Sequence, residues 1–152
     1  MNNPSQAPGA PISEALAADF AKRFTAFFDG PQLGIANEIF ATDYVSHLPL
    51  APDLPLENFK DYVASFYEAV PDFKQIVNQV IISKDRLVLH VTYVGTQTGP
   101  LFGVPPTGKN VAMNGIGIFR FNAAGLAVEN WAVIDVAGMM AQIGAFPPPA
   151  SR

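Results

Sequence analysis

The hydrophobic positions keep a helical period over the first half of the chain and a two-residue period beyond it. Leu16, Phe20, Phe24 and Phe28 recur every four residues, which predicts a helix with one strongly aromatic face. Ser13 stands where an N-cap is wanted, and the helix is expected to end before Gly30. A shorter helix is predicted over Gln32 to Phe40, burying Ile35, Ile39 and Phe40, then a short strand over Asp43 to His47 and the proline-rich loop LPLAPDLPL. Phe59, Val63, Phe66 and Val70 restore the helical spacing from Glu57 until Pro71 stops it.

After Pro71 the chain alternates and fills with β-branched residues. Strands are predicted over Phe73 to Ser83 and Arg86 to Thr98 around a Lys84–Asp85 turn, and over Asn110 to Phe121 and Leu126 to Asp135 around NAAG. GPLFGVPPTGK reads as a loop, and AGMMAQIG as a last short helix. Helices first and hairpin strands afterwards give an α+β fold: a cone-shaped, curved antiparallel or mixed sheet, N-terminal helices on its concave face, and a cavity between them. Gly95, Gly115 and Gly117 are expected to be bulges that bend the sheet. Residues 1–12 are expected to be a disordered arm, 13–144 one domain, and 145–152 a flexible tail.

Composition sharpens this. Of 152 residues, 49% are hydrophobic and only 14% charged, so the chain has either a large buried volume or an apolar surface, such as an oligomer interface or a ligand cavity. A net charge of −4 with no run of Lys or Arg argues against nucleic acid as a partner. No stretch has the roughly 18 apolar residues of a membrane span, and the opening MNNPSQAPGAP lacks the parts of a signal peptide, so a cytoplasmic location and no membrane partner are expected. The absence of cysteine removes thiolate nucleophiles, and two histidines without ligand-like spacing argue against a metal centre.

Candidate chemistry concentrates in VENWAVID, Val128 to Asp135, where one parity of a strand carries Glu129, Trp131, Val133 and Asp135. This Glu129–Trp131–Asp135 face is expected to line the cone, where a carboxylate in an apolar cavity is placed for proton transfer; equally, Asp135 at a strand–helix junction is a good N-cap. Trp131 suits the wall of a ligand cavity or the core. Glu129 suits a cavity rim, an ion pair with Arg120, or solvent. His47 is a second acid/base or carbonyl polariser, or a surface turn residue. Gln97 and Asn114 are neutral groups able to hold a substrate carbonyl. His90 lies in an alternating strand whose inward parity stays open, because one bulge would reverse it.

The second half also carries an ordered set of motifs. Gly95–Thr96 with Thr98–Gly99, then GVPPTGK over Gly103 to Lys109, then Gly115–Ile116 with Ile118–Phe119–Arg120, and finally Glu129, Trp131, Asp135 and Gly138 before a helix ending QIG together resemble the SnoaL-like polyketide cyclases, also called ester cyclases, of the nuclear-transport-factor-two-like superfamily. The resemblance spans roughly residues 20 to 144. It implies a cone-shaped α+β barrel, commonly a homodimer, with no metal or organic cofactor, and intramolecular aldol ring closure with one aspartate as acid/base, here Asp135. Two positions depart from the pattern: Gln97 stands where many relatives have His, and His90 where many have Arg.

The expected function is therefore a cofactor-independent cyclase-type enzyme on a hydrophobic, polyketide-like carbonyl compound. Asp135 and His47 are its candidate catalytic residues; Trp131, Gln97, His90, Asn114 and Glu129 are its candidate binding residues. The alternatives are a non-catalytic small-molecule-binding or interaction module of the same fold, or an isomerase, dehydratase or epoxide hydrolase on the same scaffold.

Overall fold

A computed structural model describes residues 9–30 and 32–146. Helix α1 (Glu14–Phe27) begins at Ser13, whose Oγ accepts from the Leu16 N–H at 3.1 Å, and buries Ala17, Phe20, Ala21, Phe24 and Phe27. A 3₁₀ turn over Leu33–Ile35 leads into a one-turn helix, α2 (Ala36–Ile39), and then directly into strand β1 (Phe40–His47). Phe40 thus belongs to the sheet, and β1 is longer than its sequence suggests. A two-residue strand, β2 (Leu54–Pro55), precedes α3 (Leu56–Ala69). The rest is β3 (Lys74–Ser83), β4 (Arg86–Thr96), β5 (Asn110–Phe121), β6 (Ala127–Ile134) and α4 (Val136–Gln142).

The strands form one curved, mixed and unclosed sheet in the order β2–β1–β6–β5–β4–β3. Among the described residues only the β1–β6 pairing is parallel. The register shifts fall between Val77 and Gln79, between Arg120 and Phe121, and between Phe40 and Val45. They do not fall at the glycines expected to bulge: the β4–β5 ladder runs unbroken through Gly95, Gly115 and Gly117. Gly115 and Gly117 instead make room inside the cone. A Cβ at Gly115 would lie 3.3 Å from the Tyr93 ring, and one at Gly117 3.2 Å from the Phe119 ring.

Helices α1 and α3 cover one face of the sheet, and the space between is filled with aromatic rings. Phe20 packs edge-on against Phe119 and Phe121 at 5.0 and 4.9 Å between centroids, and Phe24 against Phe119 at 5.0 Å. Such contacts bury large apolar areas, each aromatic pair adding roughly 0.5–1.5 kcal/mol beyond the burial itself. From the arm expected over 1–12, residues 1–8 lie outside the described residues. Its end is tied to the β3–β4 turn, the Ile12 N–H donating to the Lys84 carbonyl at 2.9 Å and the Gly9 N–H to an Asp85 carboxylate oxygen at 2.9 Å. Of the tail expected over 145–152, residues 147–152 likewise lie outside the described ones. Among the described residues no helix is long and apolar enough to cross a membrane.

Candidate functional site

Alternation along β4 and β5 settles which parity faces the helices. Leu87, Leu89, Val91 and Tyr93 are buried, as are Val111, Met113 and Phe119; Val88, His90, Thr92, Asn114, Ile116 and Ile118 project from the opposite face. On β6 the inward residues are Asn130, Ala132 and Ile134, which line a narrow cavity of about 50 Å³ beneath Phe24, Phe66, Leu89 and Met113. Leu48, Tyr62 and Ile134 also line a wider mouth of about 240 Å³, together with Pro49, Leu50, Asp135, Val136 and Ala137. Together the two volumes approach the lower end of small-ligand sites, roughly 300 Å³. The cavity wall is apolar except for the side chains of Tyr62, Tyr93 and Asn130.

This placement corrects the expectation that the Glu129–Trp131–Asp135 parity lines the cone. Trp131 and Val133 stand on the outer face, 39% and 68% exposed. The reason lies in the extra residue at Val128, where the β5–β6 register shifts and the alternation is reset. Trp131 is not a cavity wall; it stacks on His47, ring centroids 5.3 Å apart, with the Arg86 guanidinium 5.5 Å from its centroid.

Glu129 and His47 share that outer face. One Glu129 oxygen accepts from Arg120 at 3.0 Å, fulfilling the ion-pair reading, and the other lies 2.8 Å from His47 Nε2. His47 Nδ1 lies 2.7 Å from Asp53. Partial burial opposes protonation of His47, but the hydrogen bonds to Glu129 and Asp53 outweigh it and hold its pKa above the ordinary value. A histidine engaged by two carboxylates on the far side of the sheet does not reach the cavity.

The remaining candidates also lie elsewhere. Gln97 is fully buried and serves its own loop: Nε2 donates to the carbonyls of Gly99, Val104 and Pro105, and Oε1 accepts from the Thr107 N–H and hydroxyl. It has no capacity left for a substrate. His90 faces outward, in a shallow depression with Gln79, Ile81, Val88 and Ile116. Asn114, also outward, accepts from the Thr92 hydroxyl at 3.2 Å. Among the described residues no group of three His, Asp or Glu side chains is placed to hold a metal ion.

Asp135 keeps a place at the site. It follows β6 and caps α4, its Oδ1 accepting from the Gly138 N–H at 2.8 Å. It is solvent-exposed, at the mouth of the cavity. The cap reading is met, and the carboxylate stands at the mouth rather than inside the apolar cavity.

Two residues of the cavity were not singled out in the sequence. Asn130 is 2% exposed, and its Oδ1 accepts from the Tyr44 hydroxyl at 2.7 Å inside the core. The available signal was a lone amide on the apolar parity of β6, beside Ala132 and Ile134. Tyr62, on α3, lines both cavity and mouth, and burial raises its hydroxyl pKa.

Comparison with known proteins agrees with this architecture. The family model described as SnoaL-like polyketide cyclase matches residues 18–143. TsrD from Streptomyces laurentii superposes with a TM-score of 0.81 at 21% identity, over 89% of this chain and 99% of that one. AclR from Streptomyces galilaeus, a proposed hydroxylase, gives 0.79 at 24% identity, covering 89% of this chain and all (100%) of that one. IdmH from Streptomyces antibioticus, a proposed polyketide cyclase, gives 0.76 at 26% identity, over 84% and 98% of the two chains. No protein of curated function matches the chain. With its cone, its ordered motifs and a family match over nearly the whole domain, the chain belongs to the SnoaL-like polyketide cyclase family.

Proposed function

We propose that the chain is a cofactor-independent, cyclase-type enzyme that closes a ring in a hydrophobic carbonyl compound, with Asp135 as acid/base. The observation that carries this reading is the shared wall of cavity and mouth: Leu48, Tyr62 and Ile134 belong to both, so the Asp135 carboxylate stands where an apolar ligand would emerge. The carboxylate takes a proton from a carbon beside a carbonyl, and the C–H electron pair becomes the enolate. The enolate carbon then attacks a second carbonyl of the same molecule, whose oxygen receives the proton from Asp135. Atoms and charge balance with no other reactant. Acid/base help of this kind contributes roughly 10²–10⁴ in rate, and the cavity adds more by folding the substrate.

His47, Gln97, His90, Asn114, Glu129 and Trp131 have no part in this chemistry, since their positions keep them from the cavity. The proposal is tested by deuterium uptake at the methyl groups of diacetylbiphenyl, a flat apolar ketone with an acetyl group at each end. Wild type is expected to accelerate exchange and Asp135→Asn to abolish the acceleration; equal rates would remove Asp135 from the mechanism.

A second reading, a binding module without turnover, is favoured by the exposure of Asp135 and its engagement as a helix cap. It predicts that the same ketone binds but exchanges no faster than in buffer. We assign the outer sheet face to a second copy of the chain. Ile116, Ile118, Trp131 and Val133 expose a continuous apolar strip there, the kind of surface a soluble monomer seldom leaves open.

A further inference from the structure

Beside the hydroxyls of Tyr62 and Tyr93, the cavity wall carries one amide, Asn130, that the proposed proton transfer leaves unused. Asn130 lines the cavity on β6 opposite Ser46 of β1, four positions along the strand from Ile134 at the mouth. The Tyr44 hydroxyl donates to its Oδ1. Burial pushes the Tyr44 pKa far above its ordinary range, so the hydroxyl keeps its proton and remains a donor. That bond fixes the amide plane and leaves Nδ2 without a protein hydrogen-bond partner among the described residues.

Nδ2 is not sealed in. Among the described residues the fully enclosed side-chain atoms lacking a partner are Ser46 Oγ and Gln75 Oε1, and no atom of Asn130 is among them. Its free N–H therefore meets open space, and the open space beside Asn130 is the cavity. A buried amide with one end satisfied and the other turned to an apolar void awaits an acceptor.

We infer that Asn130 is a binding residue for a carbonyl or other acceptor oxygen at the buried end of the ligand, with Tyr44 as the positioning residue that turns its N–H into the cavity. This deepens the proposed function and rests on it for the ligand's place. It also sets the ligand's shape. Asp135 lies five positions along the chain from Asn130, about 16 Å at the usual strand rise. An oxygen held by Asn130 is therefore not the one beside the carbon that Asp135 deprotonates. The substrate class is an elongated, flat, apolar molecule with an oxygen at its inner tip and an activated carbon near the mouth. Asn130 reads the tip and so places the reacting end.

The test compares acetylbiphenyl, carrying an isotopically labelled carbonyl carbon, with ethylbiphenyl, a hydrocarbon of similar shape. Dissociation constants are measured for wild type, Asn130→Leu and Tyr44→Phe, each confirmed folded by its near-ultraviolet circular dichroism. Wild type is expected to bind both and to shift the carbonyl carbon resonance downfield, as a hydrogen bond does. Asn130→Leu is expected to lose roughly 10- to 100-fold for the ketone, to lose the downfield shift, and to hold the hydrocarbon as well as before. Tyr44→Phe keeps the amide but frees it to turn, and is expected to retain part of the shift at reduced affinity. Equal losses for both ligands, or an unchanged carbonyl resonance in Asn130→Leu, would overturn the role of Asn130 while leaving the cavity reading intact. Failure of wild type to bind even the hydrocarbon would overturn the cavity reading, and this inference with it.

Discussion

Replacing Gly138 by alanine moves the Asp135 carboxylate without changing its chemistry. A Cβ on Gly138 would collide with Asp135 Oδ2 and stand 2.7 Å from its Cγ, closer than real Cβ contacts come. The colliding group is the end of a flexible side chain, so the carboxylate swings away rather than the backbone breaking. The helix then loses the bond from the Gly138 N–H to Oδ1, worth about 1 kcal/mol for a typical N-cap. The same substitution raises helix propensity in the first turn of α4 by up to about 1 kcal/mol. The two nearly cancel, so the melting temperature should change by no more than about 4 °C for a chain of this size. Asp135→Ala has no such offset and should destabilise by roughly 0.5–2 kcal/mol. Calorimetry and deuterium uptake by diacetylbiphenyl are measured on the same samples. Gly138→Ala should fold like wild type yet lose at least about 10-fold in exchange rate, since proton transfer needs hydrogen-bond reach. Wild-type exchange in a well-folded Gly138→Ala would refute the reasoning, because the position of the carboxylate would then not matter.

The outer-face cluster titrates. With its pKa raised in the folded state by Glu129 and Asp53, His47 contributes stability that is fully present below about pH 6.5 and is lost as pH rises through the raised value; urea titrations should show wild type losing its advantage over His47→Gln across that window, and a constant gap would contradict the ion-pair assignment. Gln97→Leu removes the hydrogen bonds that tie the loop between β4 and β5 and should cost roughly 2–4 kcal/mol by urea denaturation, whereas a surface-like loss below about 0.5 kcal/mol would show that the loop stands without it. Trp131→Glu puts a charge in the apolar strip and should convert a dimer to monomer in sedimentation velocity; an unchanged mass would move the interface elsewhere.

The fold was legible because its signals are local and strong: the four-residue recurrence of phenylalanine on α1, the serine cap, the stop at Pro71 and the alternation of the long strands. What was missed depends on distant partners. The strand character of Phe40 comes from its pairing with Ala127, which no nearby residue announces. Bulges were sought at glycines, yet they fall where Val77, Arg120 and Phe40 meet their neighbours. Polarity misled most at β6. A face with Glu129, Trp131 and Asp135 looks functional, yet charge and aromatic area suit an outer face at least as well. The cavity-facing parity reads Asn130, Ala132, Ile134, and nothing local marks this modest amide as the one inside. The cap at Asp135 was readable as a cap; its place at the mouth needed Leu48, Leu50 and Tyr62, brought there from two other elements.

The central claim is that an apolar ligand lies inside the cone, along β6, with its far end at Asp135. A nuclear magnetic resonance titration of the isotopically labelled protein with diacetylbiphenyl tests it most directly, because it reports both faces of the sheet at once. The account predicts shifts, and contacts to the ligand, at Met113, Asn130, Ala132, Ile134 and Asp135, with His90, Ile118 and Trp131 unmoved. Contacts confined to the outer face, or no saturable shifts at all, would contradict it.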